Sequence, residues 1–250
     1  MAQHLTMRSG NPVLGAETFR GVRVRPGEEA MTIGGTVNKT MLALALVIVA
    51  AAYTWNLGVE DPRVNGLVML GVFGGFVAAI ATSFRPTWAP YTTPVYAVLE
   101  GLALGGISVN FEARYPGLVA QAVFLTFGTL GALLLAYRSG LVKATENFRL
   151  GVFAATGGIM VVYLIDLVLG FFGRSVPLVH SASTFGILFS LFVVGVAALN
   201  LVLDFDFIEE GAERGAPKYM EWYGAFGLLV TLVWLYLEML RLLSKLQERR

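Results

Sequence analysis

Apolar and polar positions follow one another along this chain in blocks rather than in stripes. Nearly uninterrupted apolar stretches fall at 38–57, 65–84, 94–111, 118–137, 150–172, 184–205 and 219–243. Each is close to the roughly 20 residues that a helix needs to cross a bilayer core. The connections are short and several hold helix breakers: Asp61-Pro62, Pro86 with Pro90, Tyr115-Pro116, Gly173 with Pro177, and Gly215 to Pro217. The pattern predicts an all-α, polytopic membrane protein built as a seven-transmembrane-helix bundle over residues 37–250. Residues 1–36, polar and glycine-containing, read as a flexible N-terminal tail. Neither a fixed-period repeat nor a second domain interrupts this order.

Composition supports the reading. Of 250 residues, 56% are hydrophobic and 14% charged, against about 25% charged in soluble domains. A net charge of +1 gives no support for nucleic-acid binding. The absence of cysteine excludes disulfides, thiolate metal sites and cysteine nucleophiles. The first 30 residues lack the apolar core of a cleavable signal peptide, so insertion is expected through the first span. The expected location is the cytoplasmic (inner) membrane, with the lipid bilayer as the main partner.

Basic residues set the expected orientation. With the N-terminus cytoplasmic, Arg8, Arg20, Arg23, Arg25, Lys39, Arg85, Arg138, Lys143, Arg149, Arg214 and Lys218 lie inside. Arg63, Arg114, Arg174, Arg241, Lys245, Arg249 and Arg250 lie outside. Eleven against seven favours a cytoplasmic N-terminus, although the basic C-terminus pulls the other way. Tyr219, Trp222 and Tyr223 suit an interfacial aromatic belt. Paired glycines inside spans (Gly74-Gly75, Gly105-Gly106, Gly157-Gly158) predict close helix packing, with a hinge as the alternative.

Ionisable groups within spans need a reason, because an Asp at a helix centre costs about 2.5–3.5 kcal/mol on insertion scales. Glu100, Asp166 and Glu238 qualify as candidate ion-path carboxylates, with Asp204 and Asp206 near the end of the sixth span and Arg85 closing the second. With the N-terminus inside, Arg85, Asp204 and Asp206 share the cytoplasmic side, and Glu100 lies about 9 Å from it. Competing readings stand beside these: Asp204 and Asp206 as markers of the water interface, Asp166 as an outer interfacial residue, and Glu238 as the local partner of Arg241 three residues on. Asn200, one turn before Asp204, reads as a hydrogen-bonding brace. Serine-elbow, P-loop and zinc-protease motifs are absent, and no enzyme is expected.

The "LVLDFDFIEEG" end of the sixth span and the closing "LLVTLVWLYLEMLRLL" resemble the Bax inhibitor transmembrane family, most closely its bacterial branch. "GGTVNKT", "LEGLALGGIS", "FEARYPG" and "APKYMEWYGAFG" carry the same likeness, which covers about residues 31–246. It implies a bundle with the last helix near the centre. It also implies a pH-dependent calcium leak channel gated by two hydrogen-bonded aspartates and an Arg latch. Asp204 matches the first aspartate through D-x-x-x-I, Asp204 to Ile208, and Arg85 matches the latch. Thr231 stands where the second aspartate would be; Asp206, Glu100 and Glu238 are the available substitutes.

Paired carboxylates disfavour double ionisation, so such a cluster can sense pH. Carboxylate oxygens are hard ligands suited to calcium, which makes Asp204 the expected metal-contacting residue; the resemblance implies Ca²⁺ as the transported ion, and no resident cofactor is expected. The alternative function is a non-transporting regulator that binds another membrane protein, such as a protease or stress-response factor. Its docking surface would be the tail and the acidic 204–221 connection.

Overall fold

The structure, a computed structural model, describes residues 29–249. The first 28 residues of the expected tail, including Arg8, Arg20, Arg23 and Arg25, lie outside the described residues. Helices are α1 (Ile33–Leu57), α2 (Arg63–Phe84), α3 (Ala89–Arg114), α4 (Leu118–Arg138), α5 (Glu146–Phe171), the single turn α6 (Pro177–His180), α7 (Thr184–Glu213) and α8 (Met220–Glu248). Seven of them are long and apolar enough to cross a membrane, and each contains or closely overlaps one stretch read from hydropathy. The protein is therefore a multi-pass, all-helical membrane protein.

Helix ends follow local chemistry. Thr32 caps α1 by accepting a hydrogen bond from the Gly35 N–H, and Thr145 caps α5 through the Phe148 N–H. The first helix thus starts at Ile33, before the boundary at residue 37 that polarity suggested. In α3, Pro90 sits in the first turn, where its missing N–H costs nothing. Pro94 lies inside the helix, and its absent N–H leaves the Pro90 carbonyl without the usual helical donor. The end of α7 is a Schellman turn: Gly215, at φ 63°, donates to the Ala212 carbonyl, and Ala216 donates to Gly211.

Packing divides the chain into two compact units. Among the described residues, the N-terminal unit comprises the chain up to Pro116 with Phe207–Val230, and the C-terminal unit comprises Gly117–Asp206 with the chain from Thr231 onward. The last helix is the most enclosed of the spans, with 67% of its apolar window buried against 17% for α4 and for α5.

In the N-terminal unit, glycines bring backbones together. A Cβ on Gly101 would lie 2.5 Å from the Val47 carbonyl, and one on Gly105 would lie 2.3 Å from that of Ala51. Gly71 meets the Leu99 carbonyl at 2.4 Å in the same sense. Helices α1 and α2 therefore seat directly on α3 through small residues. The expected close packing holds at Gly74 and at Gly105-Gly106. At Gly157 and Gly158 an added Cβ would meet nothing within 4 Å.

A short strap precedes α1. Ala30 and Pro217 form an antiparallel bridge, flanked by hydrogen bonds from Met31 N–H to the Ala216 carbonyl and from Lys218 N–H to the Glu29 carbonyl. Tyr223 departs from the expected interfacial belt: it is buried and stacks near Phe207 and Phe226 at 6.2 and 6.4 Å. Following Met220 and Glu221 into the helix, it turns toward the interior instead of the headgroups.

Candidate functional site

In the C-terminal unit, α5, α7 and α8 bring a series of polar side chains together. Arg149, in the first turn of α5, forms an ion pair with Asp206 of α7. Two turns along α5, the Thr156 hydroxyl accepts a hydrogen bond from the Asn200 amide at 2.9 Å. Asn200 spends its other donor contact on the Val196 carbonyl, so the brace read from sequence spans two helices. Two turns further, the Tyr163 hydroxyl donates to Glu238 of α8 at 2.8 Å. Arg241 completes that group, donating to both Glu238 and the Tyr163 oxygen.

Asp204 is 0% exposed. An aspartate wholly inside a span is where desolvation is most costly and a functional role most expected. Thr231, the residue at the second-aspartate position, is buried in the same unit. Asp206 is not a bare interfacial marker, since its carboxylate is engaged by Arg149. Glu238 is paired with Arg241, as the local reading expected, with Tyr163 as a third member that the sequence did not single out. Asp166 braces a loop: it accepts from the Val176 N–H at 2.8 Å and contacts His180 Nε2 at 2.7 Å.

The other two sequence-derived candidates lie in the N-terminal unit. Arg85 ends α2 and places its guanidinium over the Trp88 ring, 5.5 Å from the centroid. Glu100 is partly buried on α3 against α2, where a Cβ on Gly75 would approach its Oε2 to 2.9 Å. Arg85 and Asp204 thus belong to different units.

Sequence reading passed over one buried carboxylate as part of an acidic connection. Glu221, the second residue of α8, is 0% exposed. It accepts from the Thr32 N–H at 3.0 Å, the Thr32 hydroxyl at 2.9 Å and Lys39 Nζ at 2.5 Å, with Lys218 Nζ 3.2 Å away. A Cβ at Gly35 would lie 2.1 Å from Glu221 Oε1, so glycine is what admits the carboxylate. Hydrogen bonding to Glu221 raises the Lys218 ammonium above its ordinary 10.5. The "GGTVNKT" and "APKYMEWYG" stretches were the available signal: each supplies one half of this contact.

Among the described residues, no group of three or more His, Asp or Glu side chains is arranged to hold a metal ion. The carboxylates are therefore dispersed along the helices, not gathered into a chelating cage. No curated protein and no solved structure matches the chain. The family model described as Bax inhibitor 1 like matches residues 11–248, nearly the whole length, and the chain belongs to that family.

Proposed function

We propose that this protein is a passive, pH-dependent cation leak of the cytoplasmic membrane, that Ca²⁺ is its conducted ion, and that its N-terminus faces the cytoplasm. Asp204 is the gating and pH-sensing carboxylate, with Asp206 two residues on and Thr231 at the second dyad position; Arg85 is the further gating residue that the family likeness assigns. The observation that carries this reading is the complete burial of Asp204 within a span, two residues before a second carboxylate already engaged by an arginine. A buried carboxylate changes charge with pH at a large energetic premium, and its oxygens suit a hard divalent cation.

The test is Ca²⁺ entry into liposomes holding the purified protein between pH 6 and 8, beside Asp204→Asn and Arg85→Ala. A pH-dependent leak that Asp204→Asn abolishes or locks open supports the reading. Flux unchanged in both variants removes those residues from the gate, and no flux above empty liposomes at any pH removes the leak.

A second reading, a regulator bound to another membrane protein, draws on a different observation. Gly151, Gly157 and Gly158 of α5 are exposed with open space around them, and small residues are where a foreign transmembrane helix can approach. A stoichiometric partner co-purifying from native membranes, with no flux by the pure protein, favours it.

A further inference from the structure

The polar contacts of α5 recur every seven residues. Arg149, Thr156 and Tyr163 meet, in order, Asp206 and Asn200 of α7 and Glu238 of α8. Seven residues are two helical turns, so the three side chains share one stripe, and the stripe covers about 21 Å of the roughly 30 Å hydrocarbon core. Buried apolar residues interrupt it, Val152 between Arg149 and Thr156 and then a layer at Ile159. Ile159, Val193 and Val196 are buried together, and Ile159 falls between Thr156 and Tyr163 on the stripe. Trp234 and Phe189 pack against that layer.

The rungs are incompletely satisfied. Among the described residues, Arg149 Nε, Asn200 Oδ1 and Glu238 Oε2 are buried without a hydrogen-bond partner. All three belong to this stripe. Buried polar groups whose only task is to hold helices together are normally satisfied by one another. Groups left with spare lone pairs or N–H suit a site that water or a hydrated ion visits. Among the basic side chains in the same unit as the stripe are Arg149, Arg241 and Lys245. Each of those three basic groups is already committed, Arg149 to Asp206 and Arg241 to Glu238. Lys245 donates to the Gly186 carbonyl and the Ser190 hydroxyl.

We infer that the conduction route runs along the α5 stripe and that the Ile159–Val193–Val196 layer is a dry barrier across it, distinct from the carboxylate gate at Asp204. The inference rests on the leak reading above. Such a layer holds the route closed because a narrow apolar constriction sheds water and an ion cannot follow without its hydration shell.

The test is Ca²⁺ entry into liposomes holding the full-length Val193→Thr/Val196→Thr variant, near-isosteric changes that wet the layer while keeping its shape. At least a tenfold rise over the unchanged protein is expected. The chain has no cysteine, so single cysteines report water directly. Thr156→Cys should react with a small, charged thiol reagent well ahead of Leu164→Cys, which lies on an exposed apolar face. A leak in the unchanged protein that the threonine pair leaves the same, in a variant that melts normally, overturns the barrier while the leak reading stands. If the threonine pair does not fold, labelling decides: Thr156→Cys no faster than Leu164→Cys overturns the route. Flux appearing only in the threonine pair supports the barrier. Flux in neither overturns both readings.

Discussion

Arg149 and Asp206 are joined as an ion pair across α5 and α7, and Asp206 stands only two residues beyond the fully buried Asp204. The sequence presents Arg149 as one more basic residue at a helix start; the fold makes it the ion-pair partner of Asp206. Both side chains keep about a quarter of their surface, 24% and 22%, so their attraction is screened.

A double-mutant cycle measures that link. Arg149→Ala and Asp206→Asn should each lower the melting temperature modestly, and the double variant should be no worse than either. A coupling of about 1 kcal/mol is expected for a partly exposed pair. Strictly additive losses would show that the two residues act separately.

Gly35 and Gly34 make a sharp contrast. Gly35→Ala drives a methyl into the Glu221 carboxylate, whereas a Cβ at Gly34 meets nothing within 4 Å. Gly35→Ala should cost about 1–3 kcal/mol, the range for overpacking, and Gly34→Ala should melt like the unchanged protein. Equal melting of the two variants contradicts the contact.

Removing the carboxylate itself should be worse. Glu221→Gln leaves the Lys39 ammonium without its counter-charge and should cost about 3–5 kcal/mol, as when one member of a buried pair is deleted. Lys39→Met with Glu221→Gln should recover part of that loss, which thermal melting of the double variant would reveal.

Lys218 gives a pH dependence with a definite sign. Its pKa is raised in the fold above 10.5, so its contribution is fully present below 10.5 and fades as pH rises through the higher folded value. Alkaline melting should therefore loosen the strap at residues 29–32 first, seen as faster amide exchange at Met31. Lys218→Met should remove that alkaline step.

Asp61 behaves in the opposite direction at the acid end. The Arg63 side chain, aided by its backbone N–H, lowers the Asp61 carboxyl to about 2. Its contribution is present above the ordinary 3.8 and is lost as pH falls toward 2. Asp61→Asn should remove this part of the acid dependence of melting by lowering the neutral-pH melting temperature slightly, toward its acid value.

The spans and their breakers were legible because hydropathy over 20 residues and a Pro or Gly at each end are local signals. Asp204 was legible as well, being a charge where hydrocarbon is expected. The partners were not. Nothing local ties Thr32 to Glu221 or Arg149 to Asp206, and Tyr163 reads as an ordinary apolar residue until α8 sets Glu238 against it. The paired glycines carry the same lesson: Gly105-Gly106 and Gly157-Gly158 look alike in sequence, yet only the first pair faces another helix.

The strap has a consequence for synthesis. Thr32 and the carboxylate that it binds are 189 residues apart, so at about 5–20 residues per second the start of α1 waits roughly 10–40 s for its partner to be made. Throughout that interval Lys39 and the Thr32 N–H wait for the carboxylate that they bind in the finished fold. A chain that stops before the last helix keeps them waiting, with the start of α1 lacking its buried counter-charge.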